Sequence, residues 1–315
     1  MPSWLGGLLA LALSLGGLAW WIRQPWSARQ PVRSDGPVSH QKKAGTPTMG
    51  GVVFILAAAV AAFAARAGSK DGLTVLGLML AMAAIGFADD WVKVRRGQPL
   101  GLRARGKLAA GIVVATAFAL VLGPASRAVR LPLGGGIWHA PLWLFVLIVD
   151  LVVASTANGA NLTDGLDGLA AGVSVPILIF FAAAAVALSD PAVVSVTVAL
   201  LGAVIGFLAY NRHPARVMMG DTGAFGIGGA IAGLAVITGW EILLPLLAAV
   251  FVAETVSVIL QVASFRATGR RIFRMSPLHH HFELGGWSEA EVVHRFWGAG
   301  AVAGVLAALL WGVRI

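Results

Sequence analysis

The sequence contains no cysteine and few charged residues. The absence of cysteine among the 315 residues excludes disulfide bonds, thiolate metal ligands and a cysteine nucleophile. Charged residues make up 12% of the chain, whereas about a quarter is usual for a soluble domain whose surface faces water. No polar stretch between the apolar runs is long enough for a large soluble domain, so this class of protein is excluded.

Apolar sequence dominates instead, because 58% of the residues are hydrophobic. The apolar runs approach the ~20 residues that a helix needs to cross a bilayer. We therefore predict an all-α, polytopic membrane protein with ten transmembrane helices in a single integral membrane domain over residues 1–315. The first run lacks a basic segment and a cleavage site, so we expect it to be retained. The predicted spans are residues 4–22, 48–65, 72–88, 108–123, 141–157, 169–188, 192–210, 223–239, 242–263 and 297–313.

The basic residues are distributed unevenly between the two sets of loops. With ten spans, 18 of the 23 lysines and arginines fall on one side of the membrane. Because basic loops stay in the cytoplasm, this side is predicted to be cytoplasmic and both termini periplasmic. The net charge of +9 is then mainly a topology signal, with lipid phosphate or an anionic substrate as further uses, and it requires no nucleic acid.

The acidic residues do not follow this rule, since nine of the 14 lie on the same cytoplasmic side. Asp89 and Asp90 close the third predicted span, where paired carboxylates oppose the helix dipole. One interpretation is a solvated helix end in which Asp89 pairs with Lys93, four residues further on. However, like-charged pairs near lipid usually mark function, and one of two adjacent carboxylates is a candidate base.

A second polar motif joins the fifth and sixth spans, where Asn158, Asn161, Asp164 and Asp167 recur every three residues. Asp-Gly occurs twice in this stretch and is ordinary turn chemistry, so a simple turn is the alternative. A turn does not require four amide or carboxylate groups at a regular spacing of three residues. These groups suit a polar ligand or a hydrated cation better.

A third motif, residues 219–223, opens the eighth span with Asp221. Asp221 is either a helix N-cap or an acid beside exposed backbone amides, a place suited to phosphate and metal. Asn211, ten residues earlier, adds a polar group at the same face. A set of oxygen ligands without cysteine suits magnesium (Mg²⁺), which keeps waters and shares substrate phosphates.

Three consecutive histidines, His279, His280 and His281, precede the last span. Consecutive residues point apart on a regular element, so contact with phosphate or sugar fits better than three ligands to one ion. A loop of solvated histidines is the alternative. Just beyond, Ser288 and Glu291 form a capping-box pattern that predicts the start of a helix.

Two further acids, Asp150 and Glu254, fall inside predicted spans. Such residues are costly in a membrane and are usually functional or paired. They support a rival interpretation in which the protein is not an enzyme but a proton-coupled secondary transporter. Asp150 and Glu254 would then form its proton relay.

Five motifs occur in one order along the chain and on one predicted face: residues 42–51, 87–90, 161–168, 219–223 and 277–283. Together they resemble the phospho-N-acetylmuramoyl-pentapeptide transferase family, within the polyprenyl-phosphate N-acetylhexosamine-1-phosphate transferase superfamily. The resemblance covers nearly the whole chain. Two departures are Ala224-Phe225-Gly226, where the family more often has Ser-Leu-Ala, and Trp91, where a tyrosine is usual.

The resemblance implies a ten-helix enzyme of the bacterial cytoplasmic (inner) membrane with its active site at the cytoplasmic face. The family transfers phospho-MurNAc-pentapeptide from UDP-MurNAc-pentapeptide to undecaprenyl phosphate. This reaction releases UMP, forms lipid I for peptidoglycan synthesis and requires Mg²⁺. Contact with membrane lipid and a homodimer are also family expectations.

The resemblance also implies roles for individual residues. Asp221 would bind the metal, and Asp89 or Asp90 would deprotonate or position the lipid phosphate. The second motif would hold the nucleotide and sugar, and the histidines would contact the sugar-peptide side or the diphosphate. Further assignments to phosphate or to the pocket lining are Lys43, Thr46, Thr48, Lys93, Lys107, Asn158 and Asn211.

The nearest rival is a sister enzyme that transfers GlcNAc-1-phosphate to a polyprenyl phosphate. It would share the acid pair and Asp221. The segments at residues 46–49 and 279–283 argue against it.

Overall fold

The computed structural model describes residues 1–24, 45–65, 67–98, 100–123, 128–131 and 136–311. Lys43, one of the predicted substrate ligands, lies outside these residues. The described elements are α1 (Ser3–Arg23), α2 (Gly50–Ala64), α3 (Lys70–Arg96), α4 (Ala104–Val121), β1 (Ala128–Arg130), β2 (Ile137–His139), α5 (Leu142–Thr163), α6 (Leu169–Ala187), α7 (Pro191–Asn211), α8 (Gly220–Thr238), α9 (Leu244–Leu247), α10 (Ala249–Thr268), α11 (Leu278–Glu283) and α12 (Glu289–Trp311).

The predicted all-α membrane class is confirmed. Within the described ranges, nine helices are long and apolar enough to cross a membrane, and the only strands form a short antiparallel hairpin, β1–β2. α2 is apolar but has 15 residues, about 22 Å at 1.5 Å per residue, against a hydrocarbon core of about 30 Å. The count of ten crossings and the orientation of the termini stay predictions.

Several predicted boundaries were wrong at the polar ends of the spans. α3 continues to Arg96, so Asp89 and Asp90 lie within the helix and not at its end. α5 continues to Thr163, and α8 begins at Gly220. Hydropathy falls where polar side chains begin, whereas the helical hydrogen bonds continue through them. The predicted span 242–263 is divided into α9 and α10 at Ala248.

α8 lies at the centre of the bundle, where it packs against α2, α3, α5 and α6. Almost all of its residues are buried, and most are glycine, alanine or other small residues. Small residues let membrane helices approach closely, which explains how one helix accommodates so many neighbours. α1 packs on α2 and α7, and α12 packs on α6, so both outer helices support this central group.

The capping box predicted before the last span is confirmed. The backbone N–H of Ser288 donates to Glu291 Oε2 over 2.9 Å, and the N–H of Glu291 donates to Ser288 Oγ over 3.3 Å. α12 begins at Glu289, directly after this serine. The reciprocal bonds satisfy two N–H groups at the start of the helix.

Glu241 is a buried acid just beyond the C-terminal end of α8, with 4% of its surface exposed. Its carboxyl oxygens have no hydrogen-bond partner on another described residue. Burial raises its pKa to about 8, although its own backbone N–H and the Arg130 guanidinium act in the opposite direction. Between its ordinary value of 4.5 and about 8, the folded protein therefore keeps a proton that the unfolded chain releases.

Glu241→Gln is expected to reduce the loss of stability as pH rises. The contribution of Glu241 is fully present below about pH 4.5 and declines as pH approaches about 8, because only the folded state holds the proton. Between about pH 6 and about pH 8, the wild-type protein should lose roughly 2 kcal/mol more of its free energy of unfolding than the variant. Thermal unfolding in detergent should show this difference as a larger fall in the Tm of the wild-type protein. Equal falls in the two proteins would contradict the assignment.

Candidate active site

Three acids meet where α3 and α8 cross. Asp89, Asp90 and Asp221 each place a carboxylate oxygen within 4.8 Å of the others, and all three are buried. We call these three residues the acid cluster. Gly86 makes the crossing possible, because a Cβ at this position would lie 2.2 Å from the backbone oxygen of Asp221. The helices could not approach this closely with a larger residue there.

Two lysines lie between the carboxylates. Lys93 Nζ lies 2.7 Å from Asp221 Oδ1 and 2.6 Å from Asp89 Oδ2. Lys107, from α4, lies 2.8 Å from Asp221 Oδ2 and 3.3 Å from Asp89 Oδ1. The predicted pair of Asp89 and Lys93 is therefore confirmed, but within a larger network. Three carboxylates against two ammonium groups leave negative charge in excess, which favours a cation.

Asp90 holds the N-terminus of α8 from the neighbouring helix. Its two oxygens accept hydrogen bonds from the N–H of Asp221 (3.0 Å), the N–H of Thr222 (2.9 Å) and the hydroxyl of Thr222 (2.7 Å). The N-cap alternative for Asp221 was wrong, since its side chain binds the lysines and Asp90 supplies the capping oxygens. The solvated helix end proposed for Asp89 and Asp90 was also wrong, since both are buried.

The ring of Phe225 lies next to the acid cluster, with Lys107 Nζ 5.5 Å from its centroid. At this distance an ammonium group interacts with the face of an aromatic ring. Phe225, which departs from the pattern of the family, therefore contacts a lysine of the site. Trp91, the other departure, stacks on Phe87 with 6.1 Å between ring centroids, and both rings are exposed.

The second polar motif spans the last turns of α5 and the loop that joins α5 to α6. The Asn158 amide donates to Ala154 O of its own helix over 2.8 Å, while Asn161 and Asp164 are half-buried. Burial, together with the negative charges of Asp221 and Asp90, raises the pKa of Asp164 well above its usual range.

The end of this loop is held in place by hydrogen bonds from other parts of the chain. Asn211 accepts from the N–H of Gly168 over 3.0 Å and donates to Val217 O over 2.9 Å, so its amide is committed to the protein. Asp167 Oδ2 accepts from the N–H of Ala215 over 2.9 Å. These contacts favour a bracing role for Asn211 and Asp167 over direct contact with a ligand.

Asp167, His213 and Glu289 form a second group of potential metal ligands, with ligand atoms within 4.8 Å of one another. His213 Nδ1 lies 3.2 Å from Asp167 Oδ2 and 3.5 Å from Glu289 Oε2. Glu289 also accepts from the N–H of Asp167 over 2.7 Å. The sequence analysis missed His213 and Glu289, because they lie 46 and 122 residues from Asp167 and share no motif with it.

The three histidines face different partners, as their consecutive positions predicted. His279 is fully buried, with Nδ1 3.1 Å from Glu254 Oε1. His280 Nδ1 lies 2.7 Å from Glu283 Oε2, and His281 Nδ1 accepts from the N–H of Arg274 over 3.1 Å. The alternative prediction of a loop of solvated histidines is therefore wrong, because the three residues lie in α11 and His279 is buried.

The segment before α2 lies against the start of α8. The N–H of Met218 donates to Pro47 O over 2.8 Å, and the N–H of Gly50 donates to Met218 O over 3.0 Å. Thr48 is buried, and its backbone oxygen accepts from Trp21 Nε1 over 3.0 Å, whereas Thr46 is half-buried. The segment therefore approaches the beginning of the helix that carries Asp221.

Comparisons with known proteins match most of the chain. A model of glycosyl transferase family 4 matches residues 72–239, and phospho-N-acetylmuramoyl-pentapeptide-transferase signature 1 matches residues 43–55. The chain is 50% identical to the phospho-N-acetylmuramoyl-pentapeptide-transferase of Moorella thermoacetica, over 86% of each chain. It is 48% identical to that of Symbiobacterium thermophilum, over 93% of this chain and 91% of the relative, and 47% identical to that of Heliobacterium modesticaldum, over 89% and 88%.

Proposed function

The chain belongs to the phospho-N-acetylmuramoyl-pentapeptide transferase family, and from this premise we propose that the acid cluster is its catalytic centre. It is a phosphoglycosyl transferase of peptidoglycan biosynthesis that forms lipid I, and a multi-pass protein of the bacterial inner membrane. Its substrates are a nucleotide sugar and a lipid carrier. We identify them as UDP-MurNAc-pentapeptide and undecaprenyl phosphate, used by one domain over residues 1–315. A homodimer remains an expectation from the family.

The observation that supports this most directly is the meeting of Asp89, Asp90 and Asp221 with Lys93 and Lys107. The donor atoms of the acid cluster are all carboxylate oxygens, the ligands that Mg²⁺ prefers. We propose that Asp221 holds Mg²⁺ and that the other carboxylates complete the site. A bound Mg²⁺ would neutralise phosphate charge and hold the diphosphate.

The protein's own groups would position the reacting phosphates. An oxygen of undecaprenyl phosphate bonds to the β-phosphorus of the nucleotide sugar, while the bond from that phosphorus to the bridging oxygen breaks and UMP leaves. Lys93 and Lys107 are long enough to exchange a carboxylate partner for a phosphate oxygen. Asp89 contacts both lysines and is the acid placed to orient them or to accept a proton from the lipid phosphate.

The second polar motif and the histidines would hold the rest of the nucleotide sugar. Asp164 would offer a carboxyl group to the polar groups of the substrate, and Asn161 would offer an amide beside it. Asp167 and Asn211 would hold the loop in shape. Asn158, Thr46, Thr48 and the three histidines remain candidates for the lining, with Lys43 as a further phosphate ligand.

UMP release by the purified protein tests the proposal. With undecaprenyl phosphate and Mg²⁺ present, UDP-MurNAc-pentapeptide should support release and UDP-GlcNAc should not. Chelation of the metal should stop the reaction, and added Mg²⁺ should restore it. Turnover of UDP-GlcNAc alone would show that the chain has the activity of the sister enzyme.

A further inference from the structure

Glu254 is buried inside α10, and its carboxylate holds the start of α11. Oε2 accepts from the N–H of Leu278 over 2.6 Å, and Oε1 accepts from the N–H of His279 over 3.2 Å. Oε1 also lies 3.1 Å from Nδ1 of the His279 ring. One side chain therefore fixes both the backbone and the imidazole of His279, although 25 residues separate the two.

These contacts determine the arrangement of hydrogens on the imidazole. A carboxylate that already receives two backbone N–H groups acts as an acceptor, so Nδ1 of His279 carries a proton and donates to it. The remaining ring nitrogen, Nε2, is then the atom available for other partners. In metal and catalytic sites, a carboxylate on one ring nitrogen commonly sets the tautomer and orientation of the other.

The Nε2 atom of His279 points toward the loop between α5 and α6. The ring lies against Gly165, where an added Cβ would be 2.2 Å from Nε2, so only a residue without a side chain permits this contact. Although it is buried, Nε2 has no hydrogen-bond partner among the described residues. Buried polar atoms in proteins are almost always paired, which indicates a bound group as the missing partner.

We propose that Glu254 is a positioning residue for the transfer reaction: it fixes the His279 ring so that Nε2 makes a hydrogen bond to the nucleotide sugar beside residues 164–168. This inference rests on the proposed function, because it takes the nucleotide sugar as the ligand of this loop. The proposal also assigns the carboxylate of Glu254 a function that does not involve proton transport.

Glu254→Gln tests the proposal, because glutamine has a similar shape but places an NH2 group where one carboxylate oxygen was. His279 Nδ1 would then become an acceptor and Nε2 would take the proton. We expect kcat for UMP release to fall about 10- to 100-fold, with a smaller change in KM. The 15N chemical shifts of histidine-labelled protein should show the tautomer change, with the His279 signals identified by their loss in His279→Asn.

Asp150→Asn is the matched control, because Asp150 is the other intramembrane carboxylate and accepts only from the hydroxyl of Thr116 among the described residues (3.0 and 3.1 Å). It should leave kcat and the His279 signals unchanged. Loss of kcat in both variants, or an unchanged tautomer in Glu254→Gln, would overturn the proposal.

Glu254→Asp keeps the carboxylate and covers the case in which Glu254→Gln does not fold. Combined with His279→Asn, it should lower kcat no further than His279→Asn alone, since Glu254 acts through that ring. Additive losses would overturn the positioning role. If the wild-type protein releases no UMP, the proposed function fails, whereas the tautomer measurement still tests the contact between Glu254 and His279.

Discussion

Asp221→Ala is expected to abolish Mg²⁺-dependent UMP release, with a loss of at least about 1,000-fold, or roughly 4 kcal/mol of transition-state stabilisation. Both lysines contact Asp221, at 2.7 and 2.8 Å, and this residue is the proposed metal ligand. Alanine would remove the metal ligand and leave Asp89 as the carboxylate that Lys93 and Lys107 still share. The loss therefore affects both the cation and the positioning of the phosphates.

The measurement is UMP release at saturating substrates over a range of Mg²⁺ concentrations, beside a thermal unfolding curve in detergent. Asp190→Ala is a suitable control, because Asp190 caps α7 at the end remote from the acid cluster by accepting from the N–H groups of Ala192 and Val193. This control should lose about 1 kcal/mol of stability and keep its turnover. Retained, Mg²⁺-dependent release in Asp221→Ala would refute the metal assignment.

The apolar runs predicted the class of fold because the length of a membrane-crossing helix is set by the bilayer. They predicted the ends of the helices poorly. α3 continues through Asp89, Asp90 and Lys93 to Arg96, because backbone hydrogen bonds do not require apolar side chains. The hairpin β1–β2 was not predicted, since three-residue strands have no distinctive pattern.

The sequence predicted which types of residue form the site, but it did not predict most of the contacts between these residues. Each motif was recognisable by itself, yet Lys107 and Asp221 lie 114 residues apart and Asp90 and Thr222 lie 132 apart. Only the packing of α8 and α4 around α3 brings these groups together, and a single sequence contains no signal for those pairings. Thr222 lies within the motif at residues 219–223, but the sequence provides no reason to assign its hydroxyl a function. Its hydrogen bond to Asp90 is visible only in the structure.

The intramembrane acids illustrate the same limit. Asp150 and Glu254 suggested a proton relay, because charged groups inside spans are rare and usually functional. In the structure each has its own partner: Asp150 accepts from Thr116 and Glu254 holds His279. Their position inside apolar spans identified both residues as unusual, whereas their partners distinguish a helix-to-helix contact from a support for the active site.

Asp89→Asn and Asp90→Asn are each expected to reduce turnover by about 100-fold or more, but for different physical reasons. Asp90 accepts three hydrogen bonds from Asp221 and Thr222, and asparagine would turn an N–H2 group toward these donors. Buried donors without acceptors cost about 1–3 kcal/mol, so Asp90→Asn should also lower the Tm.

In Asp89→Asn, the amide oxygen can still accept from the N–H of Leu102, now 2.7 Å from Asp89 Oδ1, and the principal loss is the charge facing Lys93 and Lys107. Turnover should therefore fall with a smaller change in Tm than in Asp90→Asn. UMP release and thermal unfolding of the two variants, measured side by side, separate these roles. Wild-type turnover in both would exclude a base at this pair, and equal falls in Tm would refute the assignment of the helix-capping role to Asp90 alone.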